Sequence, residues 1–133
     1  MTHPTPPILN AKELKALSQR SPDPCVCVLK HCQGWESVSE DRWPTQHMSL
    51  QGTLRHPLPE GQTDVSFEEF HPNGTRYESS TAPIALAYFP YNRCDVHACN
   101  KCGCAALKYT EYGGYYVDQR ARLINPDLIV EST

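Results

Sequence analysis

A chain of 133 residues is sized for one domain with a modest core, and an apolar fraction of 39% with 12 prolines keeps that core small. The net charge of −3 leaves no basic track for a nucleic-acid backbone, since Arg120-Ala121-Arg122 is flanked by Asp118 and Asp127. No apolar run is long enough to span a bilayer, and Met1-Thr2-His3-Pro4-Thr5-Pro6-Pro7 has neither the basic start nor the apolar centre of a signal peptide. The expectation is a cytoplasmic protein in which seven cysteines stay reduced, so clustered thiols point to metal or reactivity.

Residues 1–9 read as a flexible N-terminal segment, and 10–133 as a single α+β domain. Asn10 and Glu13 have capping-box spacing, Leu9 and Leu14 have hydrophobic-staple spacing, and together they predict a helix over about 11–19. Ser21-Pro22-Asp23-Pro24 stops it, and Cys25-Val26-Cys27-Val28-Leu29 reads as a buried strand with Cys25 and Cys27 as core residues. Residues 32–64 read as irregular, with one helical turn near 45–50. Asn73-Gly74 predicts a hairpin between 65–70 and 75–78.

After the cysteines, Ala105, Leu107 and Tyr109 alternate with Lys108 and Thr110. Gly113-Gly114 then predicts a tight turn, and Tyr115-Val117-Gln119-Ala121-Leu123 alternate with Tyr116-Asp118-Arg120-Arg122 on a return strand. Asn125-Pro126 has the form of an N-cap with proline at the first position of a final turn.

The concentrated chemical signal is Cys94-x2-His97-x-Cys99-x2-Cys102-Gly103-Cys104. Two thiolates three residues apart grip one cation from a tight turn, and a following glycine admits the backbone conformation that aims amides at sulfur. Cys99 and Cys102 lead the expected ligand set, joined by Cys94 and His97. Cys104, His71, His31 and Cys32 stay open as the fourth ligand, and zinc in a structural role is the expected cofactor. Over about 94–124, a metal-bearing turn feeding a β-hairpin resembles half of a zinc ribbon, without the second knuckle. Cys94-x4-Cys99-x2-Cys102 also matches three ligands of plant-type [2Fe–2S] ferredoxins, whose fourth cysteine has no counterpart downstream.

Trp35, Trp43, Tyr112, Tyr115 and Tyr116 form the expected interaction surface, because tyrosine and tryptophan bury area while keeping a polar tip. Glu68-Glu69, Glu111 and Asp118 tint the sheet region acidic, which favours a basic protein partner over nucleic acid. Trp35-Glu36-Ser37-Val38, Asp41-Arg42-Trp43-Pro44, His71-Pro72-Asn73-Gly74-Thr75-Arg76-Tyr77, Phe89-Pro90-Tyr91-Asn92-Arg93-Cys94-Asp95 and Tyr109-Thr110-Glu111-Tyr112-Gly113-Gly114-Tyr115-Tyr116 resemble a family of small proteobacterial proteins of uncharacterised function. That resemblance implies no activity. Toxin-neutralising immunity proteins are a class of similar size and acidity, by analogy alone. The expectation is a zinc-stabilised, non-enzymatic protein-binding module; a zinc- or cysteine-dependent enzyme on a small substrate is the alternative.

Overall fold

A computed structural model describes residues 6–19, 32, 34–39, 41–43, 46–55, 68–101, 103–113 and 116–130. Their elements are α1 (Ala11–Ser18), β1 (Glu36–Ser37), β2 (Met48–Thr53), β3 (Asp95–Cys99), β4 (Ala105–Gly113) and β5 (Tyr116–Leu123). The fold is α+β, with the strands in one antiparallel sheet of order β1-β5-β4-β3-β2. No helix among the described residues is long and apolar enough to cross a membrane.

Local signals place α1 where the sequence predicts it. The Asn10 side chain accepts from the Glu13 amide at 2.8 Å, and the Glu13 carboxylate accepts from the Asn10 amide at 3.1 Å. Both halves of the capping box are therefore made, and two amides without helical partners are satisfied. Leu9 and Leu14 enter the same core, as a staple requires. At the other end of the chain, Asn125 accepts from the Asp127 amide at 3.0 Å and opens a 3-10 turn over Pro126–Leu128. The segment before α1 is not free: Leu9 donates to the Thr53 carbonyl and Thr53 to the Pro7 carbonyl. Gly52 permits that approach, because a Cβ there would lie 2.7 Å from the Pro7 oxygen.

The β4–β5 hairpin forms where the sequence predicts one, but Gly113 is the last paired residue of β4 rather than part of the turn: the register runs from Ala106 opposite Leu123 to Gly113 opposite Tyr116. Three other predicted elements are corrected. Residues 48–53 form strand β2 rather than irregular chain, because they pair with β3 from Met48 opposite Cys99 to Thr53 opposite Asp95. Residues 95–99 are strand β3 rather than part of a metal-binding loop. Described residues around Asn73-Gly74 form a 3-10 turn, with φ of 61° and 77°, and no flanking strands. Residues 25–29 lie outside the described set.

Alternation divides the buried side chains between two faces of the sheet. The larger core joins Leu9, Leu14 and Leu17 to Trp35, Cys94, Val96, Leu107, Tyr109 and Ile124. The smaller one joins Cys32, Val38 and Trp43 to Ala106 and Ala121, with Met48 and Leu123 packed beside them. A bulge between Leu50 and Gly52 lets β2 serve both: Met48 and Leu50 lie across from Cys99 and His97, whereas Gly52 lies across from Val96.

Arg122, of the charged-looking row on β5, is completely buried under the larger core. Its guanidinium donates to the Tyr91 hydroxyl and to the carbonyls of Ser80 at 3.3 Å and Ala82 at 2.8 Å. It thereby fastens the irregular stretch 68–93 to the sheet. Arg122→Ala would strand those acceptors and open a cavity; the expected loss is about 3 kcal/mol or more of unfolding free energy. Urea denaturation checks this, and Arg122→Lys should recover only part of the loss, because an ammonium lacks the planar fork.

Candidate functional site

The cysteine segment separates into a strand and a turn. Asn100 to Gly103 connect β3 to β4, with Cys99 and Cys104 at the two ends of the connection. The Gly103 amide donates to the Cys99 carbonyl at 2.8 Å, an i→i+4 turn, and Gly103 has φ of 76°. This is the left-handed conformation for which a glycine after Cys-x2-Cys is suited. The Cys99 amide donates to the Cys104 carbonyl at 2.8 Å, so the two cysteines stand across from each other in the ladder. Both are buried, at 2% and 7% exposure, and neither is in a disulfide. Cys102 lies outside the described residues.

The structure removes Cys94 from this turn. Cys94 precedes β3 and Cys99 ends it, so five extended residues, about 16 Å, separate them. An odd separation also places them on opposite faces: Cys94 packs in the larger core with Val96, and its thiol donates to the Pro90 carbonyl at 3.3 Å. Burial, and then the Asp95 carboxylate, push that thiol well above its ordinary pKa, so it stays protonated. Two sulfurs sharing one zinc ion lie only about 4 Å apart, with bonds of about 2.3 Å. Cys94 is a core residue.

His97 stays on the turn's side. It shares a face with Cys99, and its ring meets Trp43 edge-on at 5.2 Å. Burial, assisted by Lys108, lowers its pKa, which favours the neutral ring that binds metals. The Lys108 ammonium sits 4.9 Å over the Trp43 ring. Cys32 belongs to the same smaller core, and its carbonyl accepts from Leu123 at 2.8 Å. His71 instead meets Glu69 at 2.7 Å on the 68–93 stretch, and His31 lies outside the described residues. Among the described residues, no three His, Cys, Asp or Glu side chains gather around one ion position. His47 and Met48, which the sequence did not single out, also border the turn: the His47 carbonyl accepts from Asn100 at 2.6 Å, and Met48 lies opposite Cys99. Only recognition of β2 would have found them.

The expected aromatic surface is revised as well. Trp35 and Trp43 are buried, at 6% and 8% exposure, in the two different cores, because each closes one face of the sheet. Trp35 stacks on Tyr77 at 6.1 Å and meets Tyr109 edge-on at 4.9 Å. Tyr115 and the side chains of Tyr112 and Tyr116 lie outside the described residues.

A polar network lines the far end of the β4–β5 hairpin. The hydroxyls of Tyr77 and Tyr109 bond to each other, and Arg120 donates to Tyr77 at 3.1 Å and to Asp118 at 3.0 Å. Ser37 donates to the other Asp118 oxygen. Burial raises both phenol pKa values, so Tyr77 and Tyr109 remain neutral near pH 7. Glu111 and Asp118 stand directly opposite on this hairpin, an arrangement of like charges that destabilises a ladder.

Two measurements follow from these placements. The Ser37 hydroxyl, with Arg120, holds the Asp118 carboxyl below its usual range despite an opposing effect of burial. Its contribution to stability is present above about pH 4 and is lost as pH falls further, and Asp118→Asn should remove that part of the acid sensitivity in pH-dependent melting. Cys94→Ala should cost the same stability with or without a chelator, because its thiol lies in the larger core on the face away from Cys99. Comparison with family models, curated proteins and solved structures finds no match to this chain.

Proposed function

We propose that the chain is a non-enzymatic protein-binding module, with a hairpin braced by structural zinc at one end and acidic at the other. The observation that carries the reading is the opposed pair Glu111 and Asp118. Like charges across a ladder work against folding, and here Ser37 and Arg120 relieve Asp118 while Glu111 has no such partner described. A cationic partner surface would relieve Glu111, and its approach would be steered by the field of the pair.

Zinc fits the opposite end. Cys99 and Cys102 are its first ligands, Cys104 lies across the ladder from Cys99, and His97 and Cys32 occupy the same face of the sheet. A metal bound there would fix the start of β4, about 20 Å from the acidic pair. Because ligands are scarcely gathered without it, its binding energy would be folding energy. The most concrete form of such a module is an immunity protein or inhibitor directed at a basic toxin domain.

Native mass spectrometry of the reduced chain should show one zinc ion, and chelation should lower the melting temperature. A chain that purifies without zinc and melts identically after chelation would refute the brace. For the partner, crosslinking in the native host followed by purification at rising salt should recover a basic protein. Glu111→Lys should abolish its capture, while Glu13→Lys, on the distant helix, should not. A salt-insensitive complex that survives Glu111→Lys would refute the acidic docking surface.

A further inference from the structure

We propose that the face shared by β2, β3 and β4 holds a copper(I) site made of the Cys99 and Cys104 thiolates and the Met48 thioether. The register builds it: Met48 lies opposite Cys99, and Cys99 lies opposite Cys104 through a 2.8 Å ladder hydrogen bond. All three side chains therefore emerge side by side on one face. Both cysteines are nearly fully buried, and Met48 packs partly buried beside the smaller core.

Directly opposed residues in an antiparallel pair have Cβ atoms about 4.5–5.5 Å apart. Two sulfurs sharing an ion with bonds of about 2.3 Å stand about 4 Å apart. Rotamer choice alone brings Cys99 and Cys104 onto one ion, and the long, flexible Met48 side chain reaches in from the neighbouring strand. Two thiols would release two protons to water as the ion binds, giving a complex of net charge −1.

The donor set selects the metal. Thiolate and thioether sulfur favour copper(I), whereas zinc draws its protein ligands from thiolate, imidazole and carboxylate. On this face of β3 the one imidazole, His97, is packed edge-on against the Trp43 ring at 5.2 Å, and the only carboxylate, Asp95, lies four residues before Cys99 and is engaged with Arg55 at 3.0 Å. Hard cations find no oxygen ligands beside the two thiols on these strands. This assignment does not use Cys102, so it stands apart from the zinc reading although the two share thiols.

The test is an anaerobic titration of the reduced full chain with copper(I) in competition with the chromogenic chelator bathocuproine disulfonate. One equivalent of copper should be withheld from the chelator. Cys104→Ser should abolish retention, Met48→Leu should weaken it about tenfold, and Cys102→Ser should leave it intact. Circular dichroism on each variant checks that the fold persists, and Met48→Leu preserves volume if a cysteine variant does not fold. Complete surrender of copper to the chelator, or unchanged affinity in Met48→Leu, would overturn the assignment. So would loss of copper with Cys102→Ser, which would move the ion to the zinc-type turn. Zinc content measured on the same Cys102→Ser preparation separates the two readings: it should lose zinc and keep copper.

Discussion

The buried guanidinium of Arg122 is the constraint on which the rest of the architecture depends. A charge removed from water is costly unless its donors find acceptors; the terminal nitrogens of Arg122 find them in Tyr91 and in the carbonyls of Ser80 and Ala82, while its Nε is buried with no acceptor among the described residues. Those acceptors belong to the stretch 68–93, in which the described regular structure is limited to two short 3-10 turns. This long connection therefore cannot choose its path freely. It must return to β5, and in doing so it delivers Tyr77 to Trp35 and Tyr109, and Ile84 to a pair of backbone bonds with Leu128 and Val130. The larger core closes because the arginine holds its lid.

The second organising fact is that β3 is a strand with two different faces. Cys94 and Val96 contribute to the larger core, whereas His97 and Cys99 turn toward Trp43 and the smaller one. One segment of clustered thiols thus serves two purposes. Cys94 is a small apolar residue whose thiol finds a backbone acceptor. Cys99 belongs with Cys104 to a tight turn in which Gly103 takes the left-handed conformation. Trp35 and Trp43 obey the same division, one beneath each face.

The proposed function rests on the two ends of the β4 ladder. At one end stand Cys99, Cys104 and a left-handed Gly103; at the other, Glu111 and Asp118 oppose each other. The network of Ser37, Asp118, Arg120, Tyr77 and Tyr109 holds the acidic end rigid, and its phenols remain neutral near pH 7. Met48, Cys99 and Cys104 form an all-sulfur row at the β3–β4 end of the sheet, set by strand register rather than by sequence proximity.

Elements held together by near neighbours are readable along the chain. The Asn10–Glu13 capping box, the Asn125-Pro126 turn, the β4–β5 hairpin and the glycine after Cys-x2-Cys all rest on groups a few residues apart, so their spacing was legible. Tertiary structure alone decided the remainder. Strand β2 has weak alternation and a glycine, and it exists because β3, more than 40 residues later, supplies its hydrogen-bond partners. Arg122 reads as a surface charge until carbonyls 40 residues away approach it. Cys94 reads as a metal ligand because spacing along the chain resembles spacing in a loop. Once those residues are extended, each step adds about 3.3 Å and reverses the face, and the same five-residue interval divides the two cysteines.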